Sequence, residues 1–229
     1  MRGPVARPIV VAAGGTGGHF FPAEALAAAL IGRGERVALM TDARSSSLDS
    51  PTFANSERFV LQGSGLAGHG VLGAAKGALA LMRGTVEARR LLLDLNPAAV
   101  VGFGGYPSVP PLLAARLMPA SRRPATVLHE QNAVLGRANR ALSRGADLLA
   151  LCFEGTGRVP AGVRAEVLGN PVRPAIAALH AQGYAPPLGE VRILVLGGSL
   201  GARVFSDVVP AAVAALPEAD RRRLRVVQQ

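Results

Sequence analysis

Ile9-Val10-Val11-Ala12-Ala13-Gly14-Gly15-Thr16-Gly17-Gly18-His19 sets a short apolar run against a glycine loop, and an alanine-rich segment follows from Pro22. This is the pattern of a β-strand turning tightly into a helix, with free backbone N–H groups at the helix start that favour an anion. The device recurs at Ile193-Leu194-Val195-Leu196-Gly197-Gly198-Ser199-Leu200-Gly201-Ala202, which runs into an apolar segment from Val204 to Leu216. An offset of 183 (197 − 14) superimposes Gly14 on Gly197, Gly15 on Gly198, Thr16 on Ser199 and Gly18 on Gly201. Two such loops at domain-sized spacing predict two α/β halves, each with a phosphate-type site.

The rest of the chain agrees. Short apolar runs alternate with longer helical ones, as in a parallel sheet covered by helices. Strands are predicted at Ile9–Ala13, Val37–Met40, Arg58–Leu61, Ala98–Val101, Thr126–Leu128, Leu148–Leu151 and Ala165–Leu168. Helical stretches are predicted near Ala23–Ile31, Leu72–Leu93, Val109–Leu117 and Leu135–Leu142. Residues 1–181 read as one Rossmann-like domain and 182–190, with Pro186 and Pro187, as a linker. Residues 191–229 read as the start of a second domain, for two strands and a helix cannot bury a doubly wound core. The expectation is a fragment of a longer protein.

At 229 residues, 49% apolar, the chain has material for a sizeable core. Its net charge of +10 is almost wholly arginine, since Lys76 is the one lysine. A basic balance suits anionic partners such as nucleotides, diphosphates or acidic lipid head groups. Nucleic acid is not expected: with seven Phe, two Tyr and no Trp, no basic run interleaves with aromatics. The single Cys152 excludes an internal disulfide and suits a reducing compartment. The start of the chain is too short for a signal segment before its first strand, and no apolar run is long enough to span a membrane.

The first glycine loop is neither a dinucleotide fingerprint, because Phe20 stands where a small residue belongs, nor a P-loop, because no Gly-Lys-Ser/Thr follows. His19 sits at the helix start, where the dipole disfavours the imidazolium and leaves a neutral ring able to take a proton. Gly102-Phe103-Gly104-Gly105-Tyr106-Pro107-Ser108 lies at the same carboxyl edge of the sheet, as does the polar cluster His129-Glu130-Gln131-Asn132. Gly136, Arg137, Asn139 and Arg140 continue that polar face. Arg173, after Gly169-Asn170-Pro171-Val172, has the fork geometry for an anionic or hydroxyl-rich ligand. The segment Val71–Arg83 combines apolar bulk with Lys76 and Arg83, and reads either as core or as a face dipping into an anionic interface.

Five strings in order, GGTGGHFFPA (14–23), GGYPSVP (104–110), HEQNAVLGRANR (129–140), GNPVR (169–173) and GGSLGA (197–202), closely resemble the MurG family of peptidoglycan glycosyltransferases. The resemblance implies a GT-B fold of two Rossmann-like domains, here with the second incomplete. It implies a hexosyltransferase that moves N-acetylglucosamine, with inversion, from UDP-GlcNAc to the MurNAc C4 hydroxyl of undecaprenyl-diphosphoryl-MurNAc-pentapeptide (lipid I), making lipid II for cell-wall biogenesis. No cofactor and no metal are expected, because helix-start amides stabilise the leaving diphosphate. Carried onto this chain, Thr16, Gly17, Gly18, Asn132, Arg173 and Ser199 would contact the donor, with Gly198, Ser199 and Gly201 forming the diphosphate loop. His19 would be the general base, with Glu130 its rival, and Tyr106 and Glu130 would shape the acceptor site. Leu72, Lys76, Leu79, Met82 and Arg83 would meet anionic lipids at the cytoplasmic face of the inner membrane, where a peripheral enzyme could also join other wall-synthesis proteins. Leu200 departs from the glutamine common in the family, and the family's later donor-binding elements are absent from these 229 residues, so the chain alone is expected to bind donor poorly and to be inactive. Two rivals stand beside this reading: a nicotinamide-dependent enzyme, with Asp42 as the ribose-binding acid, and a non-catalytic membrane-docked scaffold.

Overall fold

The computed structural model describes residues 6–15, 17–43, 50–61, 71–198 and 201–229, excluding the side chains of 71, 72 and 74. It divides into two compact units, Met1–Ala177 and Ala178–Gln229.

The first unit holds a seven-stranded parallel sheet. Its strands are β1 (Ile9–Ala12), β2 (Val37–Asp42), β3 (Glu57–Leu61), β4 (Ala99–Gly102), β5 (Ala125–Glu130), β6 (Leu148–Leu151) and β7 (Ala165–Val167), in the order β3-β2-β1-β4-β5-β6-β7. Alternation along each strand sends neighbouring residues to opposite faces. Val10, Ala38, Met40, Val100, Leu128 and Leu149 join one buried cluster, while Val11, Val37, Leu39, Val101 and Phe103 join the other. Helix α1 (Gly17–Gly32) covers the second cluster with Phe20, Ala23 and Ala27. Helices α2 (Val71–Leu95), α3 (Val109–Arg116) and α4 (Arg137–Leu142) cover the first, through Ala88, Leu92, Leu112, Ala115 and Leu142. Each large side chain buried in this way contributes roughly 1.5–3 kcal/mol. A short helix, α5 (Pro174–Ala177), ends the unit. This is the doubly wound α/β architecture.

Several element ends shift by one or two residues from the sequence expectation and α5 is additional to it, but two differences bear on the site. Helix α1 starts at Gly17 rather than near Ala23 and carries Pro22 inside it. Proline suits a helix start but is tolerated further in when packing outweighs one lost hydrogen bond; Phe20 and Pro22 are both buried. Strand β5 runs on to Glu130, pairing His129 with Ala150 and Glu130 with Leu151 of β6. His129 and Glu130 are therefore strand residues, not loop residues after a strand.

The second unit contains β8 (Val191–Val195), α6 (Arg203–Ala214), α7 (Glu218–Arg221) and β9 (Leu224–Gln228), with β8 and β9 parallel. None of its described residues is buried, and Leu194, Leu196, Val208 and Val227 are each more than half exposed.

Candidate active site

Strand order reverses between β1 and β4, which lie side by side with chain connections leaving in opposite directions. Ligands of open α/β sheets bind at such a point, outside the carboxyl ends of the strands. The loops after β1, β4 and β5 meet there. Ser108, fully buried, ties the first two together: its hydroxyl reaches the carbonyls of Ala12 (2.9 Å) and Gly104 (2.8 Å). A cleft of about 580 Å³ opens between these loops, lined by His19, Gly104, Gly105, Tyr106, Glu130 and Asn132. Leu81 of α2 and Arg137 of α4 also line it.

His19 occupies the first turn of α1 and is half-buried. Glycine is required opposite it. Gly105 has φ +68°, and a Cβ there would come within 3.3 Å of the His19 ring. Behind the histidine runs a line of polar groups. Its Nδ1 lies 3.1 Å from Gln131 Oε1, Gln131 Nε2 lies 2.9 Å from His129 Nδ1, and His129 Nε2 lies 3.0 Å from the Gly169 carbonyl. Burial lowers the His129 pKa from its ordinary 6.5, against smaller raising effects of the Gly169 carbonyl and the Glu130 charge. The ring leans on Phe103, with centroids 5.2 Å apart.

Glu130 is 1% exposed and its carboxylate is fully engaged. Oε1 accepts from the Asn132 backbone N–H (3.0 Å) and side-chain amide (2.6 Å). Oε2 accepts from the Gly136 N–H (2.9 Å) and Asn139 Nδ2 (2.9 Å). The carboxylate thus pins the turn between β5 and α4 and aims Asn132 at the cleft. Among the expected donor contacts, Gly17 and Arg173 are brought together across Phe21. A Cβ on Gly17 would sit 2.7 Å from the Phe21 ring, and the Arg173 guanidinium stacks 4.3 Å from its centroid. Gly18 is exposed beside them. Tyr106 is 42% exposed at the cleft.

Thr16 and Ser199 lie outside the described residues, as does the Leu72 side chain. In the second unit the glycine turn closes through the Gly201 N–H on the Gly198 carbonyl (3.1 Å). Gly198 has φ +82°, matching φ +87° at Gly15, its counterpart under the 183-residue offset. The helices that follow start differently: α1 at Gly17 corresponds to position 200, whereas α6 begins at Arg203. The second loop is therefore three residues longer before its helix (203 − 200).

On α2, Lys76, Leu79, Met82 and Arg83 are all exposed, with Val86 and Arg90 continuing the same face. Asp42 is fully buried at the end of β2, so its carboxylate is not open to a ribose. Gln131 and Asn139 make hydrogen bonds to His19, His129 and Glu130 that residue type alone did not assign; their signal lay in the spacing of one polar string across a strand end and a helix start. Among the described residues no group of His, Cys, Asp and Glu is arranged to hold a metal, and no helix is long and apolar enough to cross a membrane.

Residues 9–150 match the glycosyltransferase family 28 N-terminal domain. The whole chain is 59% identical to 59% of the UDP-N-acetylglucosamine–N-acetylmuramyl-(pentapeptide) pyrophosphoryl-undecaprenol N-acetylglucosamine transferase of Granulibacter bethesdensis. It is 58% identical to 62% of the protein of the same name from Acidiphilium cryptum. Among solved structures, the MurG of Acinetobacter baumannii superposes with a TM-score of 0.67 at 30% identity, over 98% of this chain and 60% of that one. The chain thus spans about three-fifths of the length of these relatives.

Proposed function

The chain belongs to glycosyltransferase family 28, and from that premise we propose that it forms the acceptor-side part of a transferase moving N-acetylglucosamine from UDP-GlcNAc to the MurNAc C4 hydroxyl of lipid I. The observation that carries this reading is the cleft itself, where His19 and Leu81 of α2 line one space. A sugar on a lipid diphosphate needs a base at its hydroxyl and an apolar surface nearby.

His19 takes the C4 hydroxyl proton as that oxygen attacks the anomeric carbon of the donor. The bond from the anomeric carbon to the β-phosphate oxygen breaks, UDP leaves with the electron pair, and the sugar carbon inverts. Gly17, Gly18, Asn132 and Arg173 serve the donor sugar side, with Thr16. The turn Gly198–Gly201, with Ser199, holds the diphosphate through amides at the start of α6. Tyr106 orients the acceptor. His19 is preferred to Glu130 as base because four N–H donors already occupy the Glu130 carboxylate. Glu130 shapes the acceptor site through the turn it holds.

The exposed face of α2 supports peripheral attachment to the cytoplasmic face of the inner membrane. Leu79 and Met82 are 42% and 58% exposed, and Lys76 and Arg83 stand beside them to meet anionic head groups. Partner proteins of wall synthesis fit the same location.

The test is turnover and donor affinity in the full-length protein. His19→Ala should lower kcat by roughly 10²–10⁴-fold, the scale of a general base, with donor binding retained. Full turnover in His19→Ala, with loss in a folded Glu130→Gln, would move the base to Glu130.

A further inference from the structure

We propose that Gln131 is a positioning residue: it selects the Nδ1–H tautomer of His19 through a hydrogen-bond chain anchored on the Gly169 carbonyl, and so leaves the His19 Nε2 lone pair at the cleft. The consequence for catalysis rests on His19 being the base; the tautomer assignment does not.

The direction of every bond follows from the anchor. A backbone carbonyl only accepts, so His129 Nε2, at 3.0 Å from Gly169 O, is the protonated nitrogen. His129 is 5% exposed and burial favours its neutral ring, so its Nδ1 carries a lone pair. Only the NH₂ end of Gln131 can face that lone pair, at 2.9 Å. The same Nε2 also lies 3.4 Å from the His129 carbonyl, a second acceptor. Reversing the amide would set its oxygen against both acceptors. Gln131 Oε1 is therefore left for His19, and an amide oxygen at 3.1 Å requires a proton on Nδ1. In the neutral ring Nε2 is then the bare nitrogen. It lies on the side of Gly105, where a Cβ would be 3.5 Å away. An unrestrained histidine prefers the opposite tautomer, with Nε2 protonated and no lone pair there.

The strand supplies the spacing. His129 belongs to β5 and Gln131 lies just beyond its end, two residues on, so both side chains project to one side. Gln131 can thus bridge from the His129 ring to a helix that starts more than a hundred residues earlier in the chain.

The experiment is long-range ¹H–¹⁵N correlation on the histidine-labelled chain at mildly alkaline pH, where neutral rings show which nitrogen is protonated. His19 should carry its proton on Nδ1 in the wild type and shift to Nε2–H in Gln131→Ala. Gln131→Glu keeps an oxygen toward His19 and should keep Nδ1–H, while replacing the donor at His129 with an acceptor and raising its titration midpoint. In turnover of the full-length protein, Gln131→Ala should lose on the order of 10–100-fold in kcat, the scale for orienting partners, with donor KM little changed and recovery in Gln131→Glu. A wild-type His19 protonated on Nε2 overturns the assignment without any variant, as does a folded Gln131→Ala with the wild-type tautomer. Full turnover in His19→Ala would instead remove the base while leaving the tautomer result standing.

Discussion

Glu130 and His129 are adjacent and both buried, yet they meet the cost of burial in opposite ways. A buried charge is tolerable when its lone pairs are filled, and Glu130 receives four N–H bonds from the turn it organises. His129 instead stays neutral. Burial holds its pKa below the ordinary 6.5, so the unfolded chain takes up a proton at a pH where the folded chain resists it. Stability from this residue is complete above about pH 6.5, declines as pH falls through the folded pKa, and levels off below it. NMR titration of the His129 ring protons should give a midpoint under 6.5, with urea midpoints falling over the same interval. Residue types alone made these two look like one polar cluster. Their separation into an anchor and a relay depends on which neighbours fill each atom.

At the scale of the element, α2 has two faces with different tasks. Thr85, Ala88 and Leu92 are buried, and the helix packs along α3. Lys76, Leu79, Met82, Arg83, Val86 and Arg90 lie outward. Three apolar side chains entering a bilayer interface at roughly 1.5–3 kcal/mol each would give reversible attachment. Leu79→Glu with Met82→Glu should therefore weaken binding to vesicles of anionic phospholipid at least tenfold in a sedimentation assay, without lowering the unfolding temperature, because neither side chain is in the core. Loss of stability without loss of vesicle binding would return the face to a packing role. The sequence left core and interface both open here, since an apolar stripe does not say what covers it.

In the whole molecule, burial among the described residues is confined to one unit. The described part of the second unit has no buried residue, whereas the first encloses two clusters, one on each face of its sheet. Residues 1–177 expressed alone should unfold in one cooperative thermal transition by circular dichroism, and residues 178–229 alone should show none. A cooperative transition in the short piece would mean that β8, α6 and β9 bury more than their exposed apolar faces indicate. The seven strands, helices α1 to α4 and the parallel character of the first unit's sheet were legible in the sequence, because alternation and glycine punctuation are local signals. So were the five motifs, four of them falling at or just beyond the carboxyl ends of this unit's strands. The run of β5 through His129 and Glu130 was not, and neither were three further features. The early start of α1 despite Pro22, the four-donor cradle around Glu130, and the line from Gly169 through His129 and Gln131 to His19 join residues up to 150 positions apart (169 − 19). By itself the sequence determined which residues stand at the strand ends, since short-range pattern decides where strands stop. The tertiary structure alone decided which atoms of those residues are spent on one another and which face the cleft, because hydrogen-bond direction is set only when the partners are brought within about 3 Å.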